Sequence, residues 1–311
     1  MSHATRSSRI RHVGAAIALT GAAGVGSACG GGDANAATVV SILDAGEGAT
    51  IVLPVPYEVG QTASTSATFA ASIDINGAGT DEEVSFAFQL DLTSTVSEVA
   101  ADGGGLVIFT IAGAEWLEQP EGLDDALITD MVGLTYSESY DAAGLAGSRE
   151  LVNDEELSDE QRQAAEDLLE QSESVAFEFP EAPVAVGATW TSDTTISSNG
   201  LEFPATYHYE LVSLDDESFV IDVTYDSPVD TDVDGMNVTG RISGSGSITG
   251  AVDNPLELAY QIEQDADVAA EIDGDSLDMQ MTITFDNAVT GAADGSVGSI
   301  DPSATGTTAP N

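Results

Sequence analysis

Hydrophobic and polar positions alternate with a period of two over long runs of this chain, the spacing that sends successive side chains to opposite faces of a β-strand. In 82–98, Val84, Phe86, Phe88, Leu90, Leu92 and Val96 are apolar, and Ser85, Gln89, Asp91, Thr93, Thr95 and Ser97 fall between them. The pattern returns in 201–213 (Phe203, Ala205, Tyr207, Tyr209, Leu211) and 218–226 (Phe219, Ile221, Val223, Tyr225). It recurs in 257–272 (Leu258, Tyr260, Ile262, Ala266, Val268, Ile272) and 276–286 (Leu277, Met279, Met281, Ile283, Phe285). Turn-forming pairs separate the runs: Asn76-Gly77, Asp102-Gly103, Asn199-Gly200, Asp215-Asp216 and Asp273-Gly274. Such pairs tolerate the backbone of a tight hairpin. The pattern predicts a mainly β protein of antiparallel hairpins, with one apolar face and one acidic, solvated face.

Several runs exceed the usual strand length of about 5–6 residues at least twofold. Long strands twist and coil, so the expected fold is a strongly curved antiparallel sheet, half-barrel or barrel-like, rather than a flat sandwich. The Gly/Ser alternation of 240–250 removes side-chain bulk where such a sheet would bend. Two stretches break the alternation. Gly122 to Val132 predicts a short helix, and Ser158 to Ser172 a longer one, with Ser158 as N-cap and Gln161 as its capping-box partner. The apolar side of that second helix is narrow (Ala165, Leu168, Leu169). Residues 288–311, rich in Gly, Ala, Ser and Thr and without alternation, are expected to form a disordered tail.

An internal repeat is also visible. Pro56-Tyr57-Glu58-Val59-Gly60-Gln61-Thr62 opens one block of hairpins, and Pro183-Val184-Ala185-Val186-Gly187-Ala188-Thr189-Trp190 opens another. Two similar halves, about 50–152 and 175–287, are expected to build one continuous sheet in a single domain spanning 39–287, with the helix at 158–172 between them. The segment Phe179-Pro180-Glu181-Ala182-Pro183-Val184-Ala185-Val186-Gly187-Ala188-Thr189-Trp190 resembles the P-x-x-P-V-x-V-G-x-x-W segment of a family of secreted actinobacterial lipoproteins, which has no assigned biochemical function. The overall layout is similar to bacterial lipoprotein-carrier and mycobacterial lipid-carrier proteins, a likeness that implies a curved sheet around an acyl-chain cavity.

The N-terminus reads as an export signal over 1–28. Arg6, Arg9 and Arg11 precede an apolar stretch of 13 residues from Val13 to Val25, well short of the about 20 needed to span a bilayer as a helix. It ends in Gly26-Ser27-Ala28-Cys29, which resembles a bacterial lipoprotein signal in which small residues precede a Cys that becomes diacylated; Gly26 stands where Leu is usual. Residues 29–38 then read as a flexible tether. The alternative is plain secretion, with cleavage at the same place or after Ala34-Asn35-Ala36. Cys29 is the sole cysteine of the 311 residues, so no intrachain disulfide can form.

Composition narrows the chemistry. There are 54 acidic residues against six arginines and no lysine, for a formal net charge of −48. Beyond Cys29 the only basic side chains are Arg149, Arg162, Arg241 and one histidine, His208. Neither nucleic acid binding nor a polybasic hold on lipid head groups is compatible with that balance. Dense carboxylate without lysine suits solubility in high salt. A Ser-His-acid arrangement could draw only on His208, which falls on the polar face of 201–213. Carboxylate pairs are too numerous to be specific, and no aromatic-flanked acid stands out. The sharpest local motif is Asp230-Thr231-Asp232-Val233-Asp234-Gly235, whose three carboxylates around a turn suit a calcium loop between strands. An EF-hand is excluded, because Arg241 occupies the twelfth position, where a bidentate Glu is required. An acidic hairpin loop is the alternative. Asn237-Val238-Thr239 is a chance sequon in this context.

What remains is the apolar face itself: Phe69, Phe86, Phe88, Phe109, Trp190, Tyr207, Phe219, Tyr225, Met279, Met281 and Phe285. Either it is a filled core or it lines a cavity. The sequence thus points to a non-catalytic lipoprotein anchored through Cys29 outside the cytoplasmic membrane, binding a hydrophobic or lipidic ligand in the concave face of its sheet. A structural or protein-interaction surface module, stabilised by calcium at Asp230, Asp232 and Asp234, is the alternative. No organic cofactor is expected, and the partners expected are the membrane and a lipid.

Overall fold

A computed structural model describes residues 39–291 except 78–79, 121–122, 124, 143, 145, 153–156, 158–161, 163–176, 199–200, 234–235 and 273–274. The alternating runs become strands, and the first half contributes β3 (Thr62–Gly77), β4 (Thr80–Val99), β5 (Gly105–Glu118), β6 (Thr135–Tyr140) and β7 (Ala146–Leu151). The second half contributes β9 (Thr189–Ser198), β10 (Leu201–Leu214), β11 (Ser218–Val233), β12 (Met236–Ala251), β13 (Leu258–Ile272) and β14 (Asp275–Gly291). Together with β1 (Val39–Asp44) they form one antiparallel sheet of 12 strands in the order β1-β9-β10-β11-β12-β13-β14-β3-β4-β5-β6-β7. The sheet does not close on itself; β1 and β7 are its edges. A separate two-stranded ribbon pairs β2 (Thr50–Ile51) with β8 (Val184–Ala185), the lead-ins to the two halves.

Curvature follows from what touches what. Phe219 on β11 and Tyr136 on β6 line the same cavity, although seven inter-strand steps separate them in the sheet order. On a flat sheet those steps would hold them about 34 Å apart. The sheet therefore curls until its two wings face each other. The residues that meet inside are those the alternation selects: Ile73, Trp190, Leu211, Ile221, Ile248 and Ile283 are fully buried, while His208, Asp222, Thr224 and Asp226 face solvent.

The repeat is structural as well as sequential. Glu58–Gln61 and Ala185–Ala188 form the same turn, with Gln61 N–H donating to Glu58 O at 3.1 Å and Ala188 N–H to Ala185 O at 2.9 Å. Gly60 (φ +91°) and Gly187 (φ +85°) occupy the third position, which demands positive φ. Each turn then docks on the second strand of its half: Gly60 N–H donates to Val96 O and Gly187 N–H to Leu211 O, at 2.9 and 2.8 Å.

Local features depart from expectation where side-chain chemistry overrides pattern. The helix expected over 122–132 shrinks to a single turn, α1 (Ala126–Thr129), because Asp125 makes no side-chain cap and the last turn carries no basic residue. The helix expected over 158–172 lies outside the described residues apart from Arg162, which is helical. Of the tail expected over 288–311, residues 288–291 belong to β14, where Ala288, Val289 and Gly291 pair with β3, and the rest lies outside the described residues. In the first hairpin Asn76-Gly77 is not the turn, because both belong to β3, with Asn76 pairing Asp81 and Gly77 pairing Thr80. The even face of 82–98 is not uniformly interior or apolar: Val84 is exposed, and the buried position 94 is a serine. Three bulges shift the register between β4 and β5, with Ala112 and Leu117 of β5 and Ser97 of β4 as the extra residues.

Candidate functional site

The apolar face is packed through the second half and part of the first, and hollow where the two wings face each other. In the second half, Leu53, Val55, Phe177, Phe179 and Val184, all from the lead-in segments, pack into one cluster with the interior residues of β9 to β13. Trp190 anchors them by donating its indole N–H to Glu178 O at 3.0 Å. Its ring stacks on Tyr209, and Tyr207 stacks on Tyr225 with centroids 4.9 Å apart.

The Gly/Ser run of β12 explains how these rings fit. Tyr225 lies directly opposite Gly244, and Phe219 opposite Gly250. A Cβ on either glycine would collide with the ring lying over it. With that space free, Tyr225 reaches across β12 and donates its hydroxyl hydrogen bond to Gln264 Oε1 on β13. The glycines accommodate aromatic rings rather than only a bend.

In the first half the lead-in contributes one ring, Tyr57, which lies over Gly105. Beyond it a cavity of about 300 Å³ opens between the wings. Thr65, Ala67, Leu92, Phe109, Tyr136 and Tyr140 form its first-half wall; Phe219, Leu258 and Tyr260 form the opposite one, with Phe177 and Phe179 between. Phe109 and Tyr136 are a cross-strand pair with stacked rings, centroids 5.1 Å apart.

Charge enters this wall at one point. Glu138 on β6 faces Arg149 on β7 as a direct cross-strand pair, and both line the cavity. Arg149 Nε lies 3.0 Å from Glu138 Oε1, and the Tyr140 hydroxyl donates to Glu138 Oε2 at 3.0 Å. Glu138 is only 2% exposed. A buried pair of this kind is tolerable because each charge meets the other and further hydrogen bonds satisfy the carboxylate. Burial first, and the Glu138 charge second, push the hydroxyls of Tyr57, Tyr136 and Tyr140 well above the ordinary tyrosine value. Burial pushes Tyr260 up to about 12. All four phenols therefore stay protonated and uncharged through the physiological range. The arrangement can clasp an apolar body and offer hydroxyls to a polar end; an acid held by Arg149 and a phenol is not set up as a free base.

Sequence reasoning passed over Glu138, which sits between Tyr136 and Tyr140 in strand phase, all three lining the cavity. The signal was the sequence Tyr136-Ser137-Glu138-Ser139-Tyr140, an acid at an apolar-phase position with an arginine on the next strand.

The other sequence-derived candidates are scattered. Cys29 and Asp234 lie outside the described residues. Asp230 is exposed and, like Asp232, sits within β11, where the two pair with Thr239 and Asn237 of β12. The ladder runs unbroken to Val233 opposite Met236, and 234–235 lie outside the described residues. Among the described residues no group of three or more His, Cys, Asp or Glu side chains is placed to hold a metal. His208 is exposed on β10. Arg241 forks onto Asp226 on the outer face, at 2.6 and 2.7 Å. No helix among the described residues is long and apolar enough to cross a membrane.

No curated protein matches the chain. Residues 156–255, which take in β8 to β12 and the start of the loop beyond, match the model of a family of unknown function (DUF6263).

Proposed function

We propose that this protein is a non-catalytic lipoprotein of the cell envelope, anchored through Cys29, that binds a hydrophobic or lipidic ligand in the concave face of its sheet. The observation that carries the reading is the cavity of about 300 Å³ between the wings. Cavities of this size, mostly apolar with a few convergent polar groups, are the usual form of small-molecule sites, whereas a sheet evolved only for its surface would be expected to fill both halves alike. The dearth of histidine, lysine and a second cysteine supports a binding role over catalysis.

Extraction of the full chain, purified from a membrane-bearing host, is expected to release one lipid class near equimolar amount by mass spectrometry. Ala67, which lines the cavity, tests the location: Ala67→Phe is expected to fold and emerge lipid-free. A lipid-free wild type that also leaves the fluorescence of a pyrene-labelled acyl probe unchanged would overturn the reading. The anchor is tested apart from the cavity: Cys29→Ser protein should leave the membrane fraction, and its retention there would end that part of the proposal.

A further inference from the structure

Resting on the binding reading above, we infer that the cavity selects an uncharged ligand, a lipid or lipid-like molecule whose polar end carries ester or hydroxyl oxygens, over a fatty acid anion or a cationic amphiphile. Glu138 and Arg149 bring one negative and one positive charge into the cavity wall, in contact with each other at 3.0 Å. The site is thus neutral before any ligand arrives. A carboxylate or phosphate could engage Arg149 only by competing with Glu138, leaving a buried acid with its charge uncompensated. A cation faces the converse, since the carboxylate is already held by Arg149 and by the Tyr140 hydroxyl. Uncharged oxygens disturb neither partner. They can take hydrogen bonds from phenols such as Tyr57, Tyr136 and Tyr260, while Leu92, Phe109 and Phe219 hold the apolar part. At longer range, 54 acidic residues repel anions from the cavity mouth, a contribution that salt removes while the local preference remains.

Three pyrene-labelled probes of one chain length, a fatty acid, its methyl ester and the corresponding primary amine, are titrated against the full chain at pH 7.5 in 0.1 M and 1 M NaCl. The ester is expected to bind at least about tenfold more tightly than either charged probe at both salts, because a charged probe breaks a buried pair. In Glu138→Gln, Arg149 loses its counter-charge, and the ester-to-acid affinity ratio should fall below one. The double substitution Glu138→Leu with Arg149→Met guards against a single variant that fails to fold; it removes both charges and should keep the ratio in favour of the ester. Acid or amine binding as tightly as the ester in 1 M NaCl, or a ratio unmoved in Glu138→Gln and reversed in the double variant, would overturn the neutral-ligand inference alone. Binding of none of the three probes would instead overturn the binding reading on which it rests.

Discussion

The two halves begin with the same turn and hang the same kind of hairpin from it, yet the second interior is filled throughout and the first only in part. The difference is in what the lead-in segments supply. Leu53, Val55, Phe177, Phe179 and Val184 all pack into the cluster of the second half, including two from the lead-in of the first half. The first half keeps Tyr57 for itself, and its cavity-facing interior is left to Phe109, Tyr136 and the Glu138–Arg149 pair, while Phe69, Ile73 and Ile75 pack against β14. A duplicated scaffold has thus been divided between support and accommodation. One half spends its aromatic residues on packing each other; the other packs Phe69, Phe86, Phe88 and Trp116 together but leaves Phe109 and Tyr136 facing the cavity.

The sharpest way to break the comparison is to make one substitution in both interiors. Gly244→Val forces Tyr225 off its seat and breaks its hydrogen bond to buried Gln264, so thermal unfolding should show a loss of about 4 kcal/mol. Gly105→Val presses Tyr57 in the same manner, but Tyr57 borders the cavity and its ring has room to swing. A loss of about 2 kcal/mol is expected there. Equal losses would show that the first half is as tightly packed as the second.

A smaller effect is expected from the ion pair, and its sign depends on how the pair is removed. Arg149→Met leaves Glu138 buried without its cation and should cost about 3 kcal/mol at pH 7. Glu138→Leu combined with Arg149→Met should restore stability to within about 1 kcal/mol of the wild type. Failure of the second substitution to rescue the first, in urea unfolding, would show that the pair is itself a source of stability.

The least effect is reserved for the outer surface. Asp215, in the turn between β10 and β11, accepts backbone hydrogen bonds from Glu217 and Ser218 at 2.9 and 2.7 Å. These hold its carboxyl below the ordinary value of 3.8. A lowered folded-state value means stabilisation that is present above the unfolded value and lost as pH falls through the folded one. Asp215→Ala should therefore lower the melting temperature slightly at pH 7, with the gap closing below the ordinary carboxylate range. A gap that persists in strong acid would assign the effect to something other than the ionised turn.

Much of this architecture was legible before any coordinates. Period-two patterning located the long strands, since a one-residue slip would turn every apolar side chain to water. The paired Val-Gly turns disclosed the duplication. What escaped was non-local. That Leu53 fills the second half cannot be read from its neighbours in sequence, and β1 pairs with β9 across some 150 residues. Within the site, aromatic residues were recognised as a face, but Glu138 was lost among 54 acids. Its distinction is the strand phase it shares with Tyr136 and Tyr140, together with Arg149 opposite it. In the Asp230–Gly235 motif, residue types that suit a metal loop also suit strand positions, since Asp230 and Asp232 pair with Thr239 and Asn237 of β12.

The seam between the halves has a bearing on the order of events in this molecule's life. β3, near the start of the domain, finds its second neighbour only in β14, the last strand. Until β14 is made, the first half presents a long open edge, a template for pairing with other chains. The closure is also among the most distant contacts the chain makes, the kind that forms slowly. Because Tyr260 and Asn287 belong to the cavity wall, the cavity is assembled only once β14 has been made. A ligand bound there, as proposed, would stitch the two wings together, so occupancy and protection of the seam from hydrogen exchange should rise and fall as one.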